Sequence, residues 1–146
     1  NDRGAMCRET FQGLRGVEVK FFDLEKDEFT RTFTLDHVLK VDYGFPCWHA
    51  IGMDAVLPDE HGQIPLRDKW ENGQILWRNT HFVILTRDGK APTHEQLPVH
   101  SRVIHLNVLG SSSEIRRRLA ANHSIAGLVV PNVESYILQH HLYQHE

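Results

Sequence analysis

The run His81-Phe82-Val83-Ile84-Leu85-Thr86 constrains this chain more than any other stretch. It is short, apolar and rich in β-formers, and the turn dipeptides Asn72-Gly73 and Asp88-Gly89 bound it on either side. Such a run reads as a buried strand, around which the chain has to assemble a sheet. Gln74 to Trp77 and Arg102 to Leu109 read as further strands, and Ile125 to Val130 as a short buried one. Nearer the start, Val17-Glu18-Val19-Lys20-Phe21 alternates apolar with polar residues. Phe29, Phe33 and Leu35 alternate with threonines in the same way, and Glu25-Lys26-Asp27-Glu28 separates the two segments as a turn would. This pattern predicts an N-terminal β-hairpin with one buried face.

Helical signals are fewer. Pro46 at a first turn predicts a helix over Cys47 to Val56, because its missing N–H would be unpaired there anyway. Ser111 with Glu114 three residues on forms a capping-box pattern for a helix reaching Ala121, and Asn122 suits a left-handed end. Val133, Ile137, Leu138 and Leu142 recur at helical spacing in a last helix from Asn132 to about Gln144. Residues 1–16 read as a flexible lead-in, and residues 17–146 as a single domain with the order β-β-α-β-β-β-α-β-α. The expected class is α+β: a mostly antiparallel sheet, a β-hairpin at the N-terminal end, and about three helices.

Composition bounds the function. The 146 residues can bury a core without staples, and 40% apolar with 24% charged is ordinary for a globular domain. A net charge of −3 gives no electrostatic footprint for nucleic acid. No apolar run approaches the roughly 18 residues that span a bilayer, so no membrane partner is expected. Two cysteines are too few for a disulfide scaffold, which makes a reducing, cytoplasmic compartment the default. Eleven histidines are many for this length, and their scatter argues against one metal tract while making the chain sensitive to mildly acidic pH.

Two chemistry-bearing residues fall within Tyr43–Lys90. Cys47 sits where a helix is expected to start, and free N–H groups at a helix start favour a thiolate. His81 heads the buried strand, where an imidazole within reach of the thiol would act as base. The bland alternative is a core cysteine and a hydrogen-bonded strand histidine. Cys47-Trp48 followed by His81-Phe82-Val83-Ile84-Leu85 and Asp88-Gly89 resembles papain-like and transglutaminase-like cysteine enzymes, compact viral leader proteases among them. The resemblance implies Cys47 as nucleophile and His81 as base, with an Asp, Asn or Glu on the next strand orienting the imidazole. If strands 81–87 and 102–109 form a hairpin, Asn107 faces His81 in one register and points away in the other. Asp88 and Glu95 are alternatives to it.

The function expected on that basis is a small thiol enzyme acting on an amide as protease, deamidase or transglutaminase-like acyltransferase. Its partner would be a protein or peptide, it would need no cofactor or metal, and the loop from Pro58 to Trp70 would gate the substrate. The alternative is a non-enzymatic interaction module using the hairpin edge or an aromatic surface built from Trp48, Trp70 and Trp77. Other constellations are slighter. His141 and His145 share a helix face with Glu146 beside them, and His81 with His105 might share a sheet face, which are two metal ideas without a supporting Cys-x-x-Cys. Arg118 and His123 match the Arg-x4-His spacing of HEPN ribonucleases, which are helical bundles, whereas most of this chain reads as strand.

Overall fold

The computed structural model describes residues 2–26, 29–87, 92–107 and 110–143. The chain divides into two compact units, one made of Asn1–Asp27 with Leu109–Glu146 and the other of Glu28–Val108. In the first unit, α1 (Asp2–Phe11) and the short α2 (Phe22–Lys26) precede the crossing into the second. Residues 2–11 are therefore helical where a flexible lead-in was expected. Val17 to Phe21 takes no regular form, so its alternation does not become a strand.

The second unit opens with α3 (Thr32–Tyr43), across the segment expected to supply the second hairpin strand. Four or five residues of alternation fit either period. What decides is that Asp36 is buried, with Phe33 and Lys40 beside it on the same helix face. Gly44, left-handed at φ 71°, ends the helix by donating its N–H to Lys40 O. β1 (Trp48–Gly52) then replaces the helix expected from Cys47, and one 3-10 turn, Met53–Ala55, follows it. The segment read as a loop from Pro58 holds a π-helical turn over Pro65–Lys69, which Asp68 Oδ2 caps by accepting from Ile64 N at 2.8 Å.

Asn72-Gly73 marks a helix start and not a hairpin: Asn72 is left-handed at φ 54°, and α4 (Gly73–Asn79) occupies the residues read as a strand. Glycine is required at 73, because a Cβ there would collide with the backbone oxygens of Leu66 and Arg67. β2 (His81–Thr86) and β3 (His100–His105) complete a three-stranded sheet in the order β1-β2-β3.

Both pairings are parallel, which corrects the expected antiparallel sheet. Trp48 stands opposite His81 and Gly52 opposite Leu85. His81 stands opposite His100 and Thr86 opposite His105. The connections explain the direction: each is longer than the roughly dozen residues that a parallel crossover needs. The class is therefore α/β and Rossmann-like. Phe82 and Ile84 of β2 are fully buried on one face, packed with Val56, Leu66 and Leu76.

Back in the first unit, α5 (Ser112–Ala120) begins as its cap pattern predicts, with Ser111 Oγ accepting from Glu114 N at 3.1 Å. Asn122 is left-handed at φ 54°. The stretch from Ile125 to Val130 forms one isolated bridge, Ala126 to Val129, and not a strand. α6 (Pro131–Gln139) ends five residues before the expected limit at Gln144 and buries Val133 and Ile137 against Leu119 and Ile125. Tyr136 donates to Asp2 Oδ1 at 3.0 Å, tying α6 to α1. No helix among the described residues is long and apolar enough to cross a membrane.

One buried carboxylate fastens α3 to the sheet. Asp36 Oδ2 pairs with Lys40 Nζ at 2.6 Å and accepts from Thr80 Oγ1 at 3.4 Å, while Oδ1 accepts from His49 Nε2 at 2.9 Å. Burial alone would raise its pKa, but the hydrogen bonds and charges of Lys40 and His49 outweigh burial and hold it below the usual carboxylate value. The folded state therefore binds fewer protons here than the unfolded one. The stabilisation is complete above the ordinary carboxylate range and is lost as pH falls through the folded-state value. Urea unfolding should show a midpoint that declines on acidification below about pH 4. Asp36→Asn should lower stability near neutrality by about 2–4 kcal/mol and flatten that acid limb. An unchanged acid limb in Asp36→Asn would assign the acid sensitivity elsewhere.

Candidate functional site

In a parallel sheet every strand ends on the same edge, and the chain leaving each strand turns away to open a crevice there. Here β1 ends at Gly52, β2 at Thr86 and β3 at His105. A cavity of about 580 Å³ lies at that edge, within the usual range for a small-molecule site. Its walls are Gly52, Met53 and Asp54 leaving β1, Leu85 and Arg87 leaving β2, Leu106 beyond β3, and Leu57. Leu106 N donates to Thr86 O at 2.9 Å, so the β2–β3 ladder runs up to the cavity wall. Behind it, Thr86 is buried and its hydroxyl meets His105 Nδ1 at 2.7 Å.

Each wall residue has a local reason for its place. The Asp54 carboxylate folds back over Gly52, where any Cβ would run into Oδ1. Glycine thus leaves both the backbone and the carboxylate open to the cavity. Asp54 and Arg87 are both exposed, one leaving β1 and the other leaving β2, so the crevice offers an acceptor and a fixed cation over apolar walls. A planar guanidinium is well matched to carboxylate and phosphate oxygens. The set suits a polar, anionic ligand with an apolar or aromatic part.

The residues expected to form a thiol site lie elsewhere. Cys47 is half-buried just before β1, not at a helix start, and its Sγ contacts the oxygen of nearby Phe45 at 3.8 Å. Without a helix start, the source expected to favour its thiolate is missing. His81 heads β2 with its ring between Trp48, edge-on at 5.0 Å, and His100, stacked at 4.8 Å. Its Nδ1 is buried without a hydrogen-bond partner. Asn107 is exposed beyond β3, at the other end of the sheet. In the parallel register it is His100 that faces His81, which leaves Asn107 roughly 20 Å away along the strand. Asn107 is therefore not brought to His81. Asp88 lies outside the described residues, as do His145 and Glu146. Among the described residues no group of three His, Cys, Asp or Glu side chains could hold a metal ion. His81 and His105 occupy opposite ends and opposite faces of the sheet.

Sequence reading missed Gly52, Met53 and Asp54 because it placed them inside a helix. The available signal was apolar Ala50-Ile51 followed by Gly and, two residues later, an acid. Arg87 was placed at the end of a strand but without a role.

No family model matches the chain. It is 30% identical over 154 residues to a probable nicotinate-nucleotide adenylyltransferase of Gemmatimonas aurantiaca, covering 97% of this chain and 68% of that protein. It is 32% identical over 164 residues to a protein of the same description from Pseudoalteromonas atlantica, covering 97% and 71%. Among solved structures it resembles Plasmodium falciparum nicotinic acid mononucleotide adenylyltransferase, complexed with NaAD and with APC. The TM-score is 0.60 for each, at 21% identity, covering 82% of this chain and 60% or 61% of those chains. At that identity the structures speak for the fold alone, and the chain spans about three-fifths of their length. Proteins so described transfer an adenylyl group to a nicotinate nucleotide. This overturns the resemblance to papain-like and transglutaminase-like enzymes, the thiol-hydrolase activity built on it and the protein or peptide substrate. The alternative of a non-enzymatic interaction module is likewise unsupported.

Proposed function

Because this chain belongs to the nicotinate-nucleotide adenylyltransferase family, we propose that it binds a nicotinate nucleotide in the crevice at the carboxyl ends of β1, β2 and β3, for adenylyl transfer from ATP. In that reaction a phosphate oxygen of the nicotinate nucleotide attacks the α-phosphorus of ATP. A new P–O–P bond forms, the bond to the β-phosphate bridge breaks, and pyrophosphate leaves with the electron pair. Little covalent chemistry falls to the protein, so positioning and charge stabilisation carry such a transfer.

The observation that carries the reading is the convergence of Gly52, Asp54 and Arg87 on one cavity at the strand ends. Open α/β sheets take their ligands at that edge. Arg87 would hold an anionic oxygen of the nucleotide, and the bare backbone at Gly52 lets a ribose or base approach closely. Asp54 would accept from a ribose hydroxyl, the usual partnership between a carboxylate and a sugar in this kind of fold.

Calorimetric titration of the chain with nicotinate mononucleotide tests the assignment. Arg87→Ala should weaken nicotinate mononucleotide binding by about tenfold to a hundredfold, the worth of one charge-assisted hydrogen bond. Equal affinities in Arg87→Ala and the parent chain would remove the crevice as the nucleotide site.

A further inference from the structure

Thr86 is the third inward side chain of β2, after Phe82 and Ile84, and like them it is buried on the covered face of the sheet. Valine would fill that place with no polar group to satisfy. A buried hydroxyl needs a partner, and among the described residues the Thr86 hydroxyl has one, His105 Nδ1 at 2.7 Å. The two residues stand opposite each other in the parallel register, at the last rung of the β2–β3 ladder. One step further, Leu106 N donates to Thr86 O at 2.9 Å.

The direction of the side-chain bond follows from its surroundings. A hydroxyl can donate or accept, and a neutral imidazole carries its proton on one nitrogen only. With the proton on Nδ1 the ring would donate, and the Thr86 hydrogen would be left buried without an acceptor. With the proton on Nε2 the hydroxyl donates to Nδ1 and both groups are satisfied. His105 is exposed, so water can serve its Nε2–H.

This bond stands next to the cavity. Arg87 follows Thr86 and Leu106 follows His105, and both line the crevice. Among the described residues β3 pairs with β2 alone, so its end is held from one side. Such ends open more readily than the middle of a sheet. A side-chain bond beside the last main-chain one keeps the two strand ends at a fixed separation. Displacing a binding group by about 1 Å is enough to weaken what it holds.

We propose that Thr86 and His105 are a positioning pair for the nucleotide. The Thr86 hydroxyl donates to His105 Nδ1, and this bond sets where Arg87 and Leu106 leave their strands. Neither side chain of the pair lines the cavity, so both act through those two wall residues. The inference rests on the crevice being the nucleotide site.

The test titrates nicotinate mononucleotide into the 146-residue chain and into Thr86→Val, Thr86→Ser, His105→Phe and the Thr86→Val/His105→Phe double variant. Thr86→Val and His105→Phe should each weaken binding roughly three- to tenfold, the worth of one neutral hydrogen bond. The double variant should lose no more than either single one, and Thr86→Ser, which keeps the hydroxyl, should bind like the parent. Nitrogen signals of the His105 ring should place the proton on Nε2 in the parent and show mixed tautomers in Thr86→Val. His105→Phe changes an exposed position and keeps the core intact, so it decides the matter if Thr86→Val folds poorly. A merely structural pair would lower the thermal midpoint of these variants and leave their affinity equal to the parent's, which would overturn the inference. So would a parent ring with its proton on Nδ1. A parent chain that binds no nucleotide, or an Arg87→Ala variant that binds as tightly as the parent, would instead overturn the crevice reading on which the pair depends.

Discussion

β2 hydrogen-bonds in parallel to a strand on each side, and the candidate site depends on that single constraint. Pairing Trp48 with His81 and His81 with His100 places three strand starts on one edge and three strand ends on the other. Were either neighbour reversed, the chain leaving β1, β2 and β3 would no longer turn away from a common line. Gly52, Arg87 and Leu106 would then not share a cavity. The direction follows from connections long enough to cross back over the sheet, one of which is shaped by α4 and the π-turn at Pro65–Lys69.

The covered face is what keeps that register. A one-residue slip would carry Phe82, Ile84 and Thr86 from the core to the open side. Asp36 adds a polar lock to this apolar one, because its two oxygens reach β1 through His49 and the start of β2 through Thr80. It lies toward the amino ends of the strands, away from the crevice. Stability and ligand chemistry are thus divided between the two edges of the sheet.

Much of this was legible as elements and little as arrangement. The strand His81–Thr86, the capped helix from Ser111 and the left-handed Asn122 followed from composition and local turn chemistry, which act within a few residues. The direction of pairing has no such local mark, since parallel and antiparallel neighbours show the same two-residue period. Short alternation at Phe29–Leu35 misled because a helix face repeats after three or four residues, and the buried member proved to be Asp36, a charged side chain that hydrophobic patterning passes over. Pro46 misled in the opposite way, preceding a strand where it suited a helix start. A helix from Cys47 would enclose Gly52 and Asp54, whereas the strand ending at Gly52 leaves both at the sheet edge.

The crevice is the central claim, and mapping a ligand onto it residue by residue tests it most directly. In a titration of isotopically labelled chain with nicotinate mononucleotide, followed by amide chemical shifts, the largest saturable changes should fall on Gly52, Met53, Asp54, Arg87 and Leu106, with Trp48 and His100 at the other edge unmoved. Saturable shifts confined to that other edge, or none anywhere at millimolar ligand, would contradict the account.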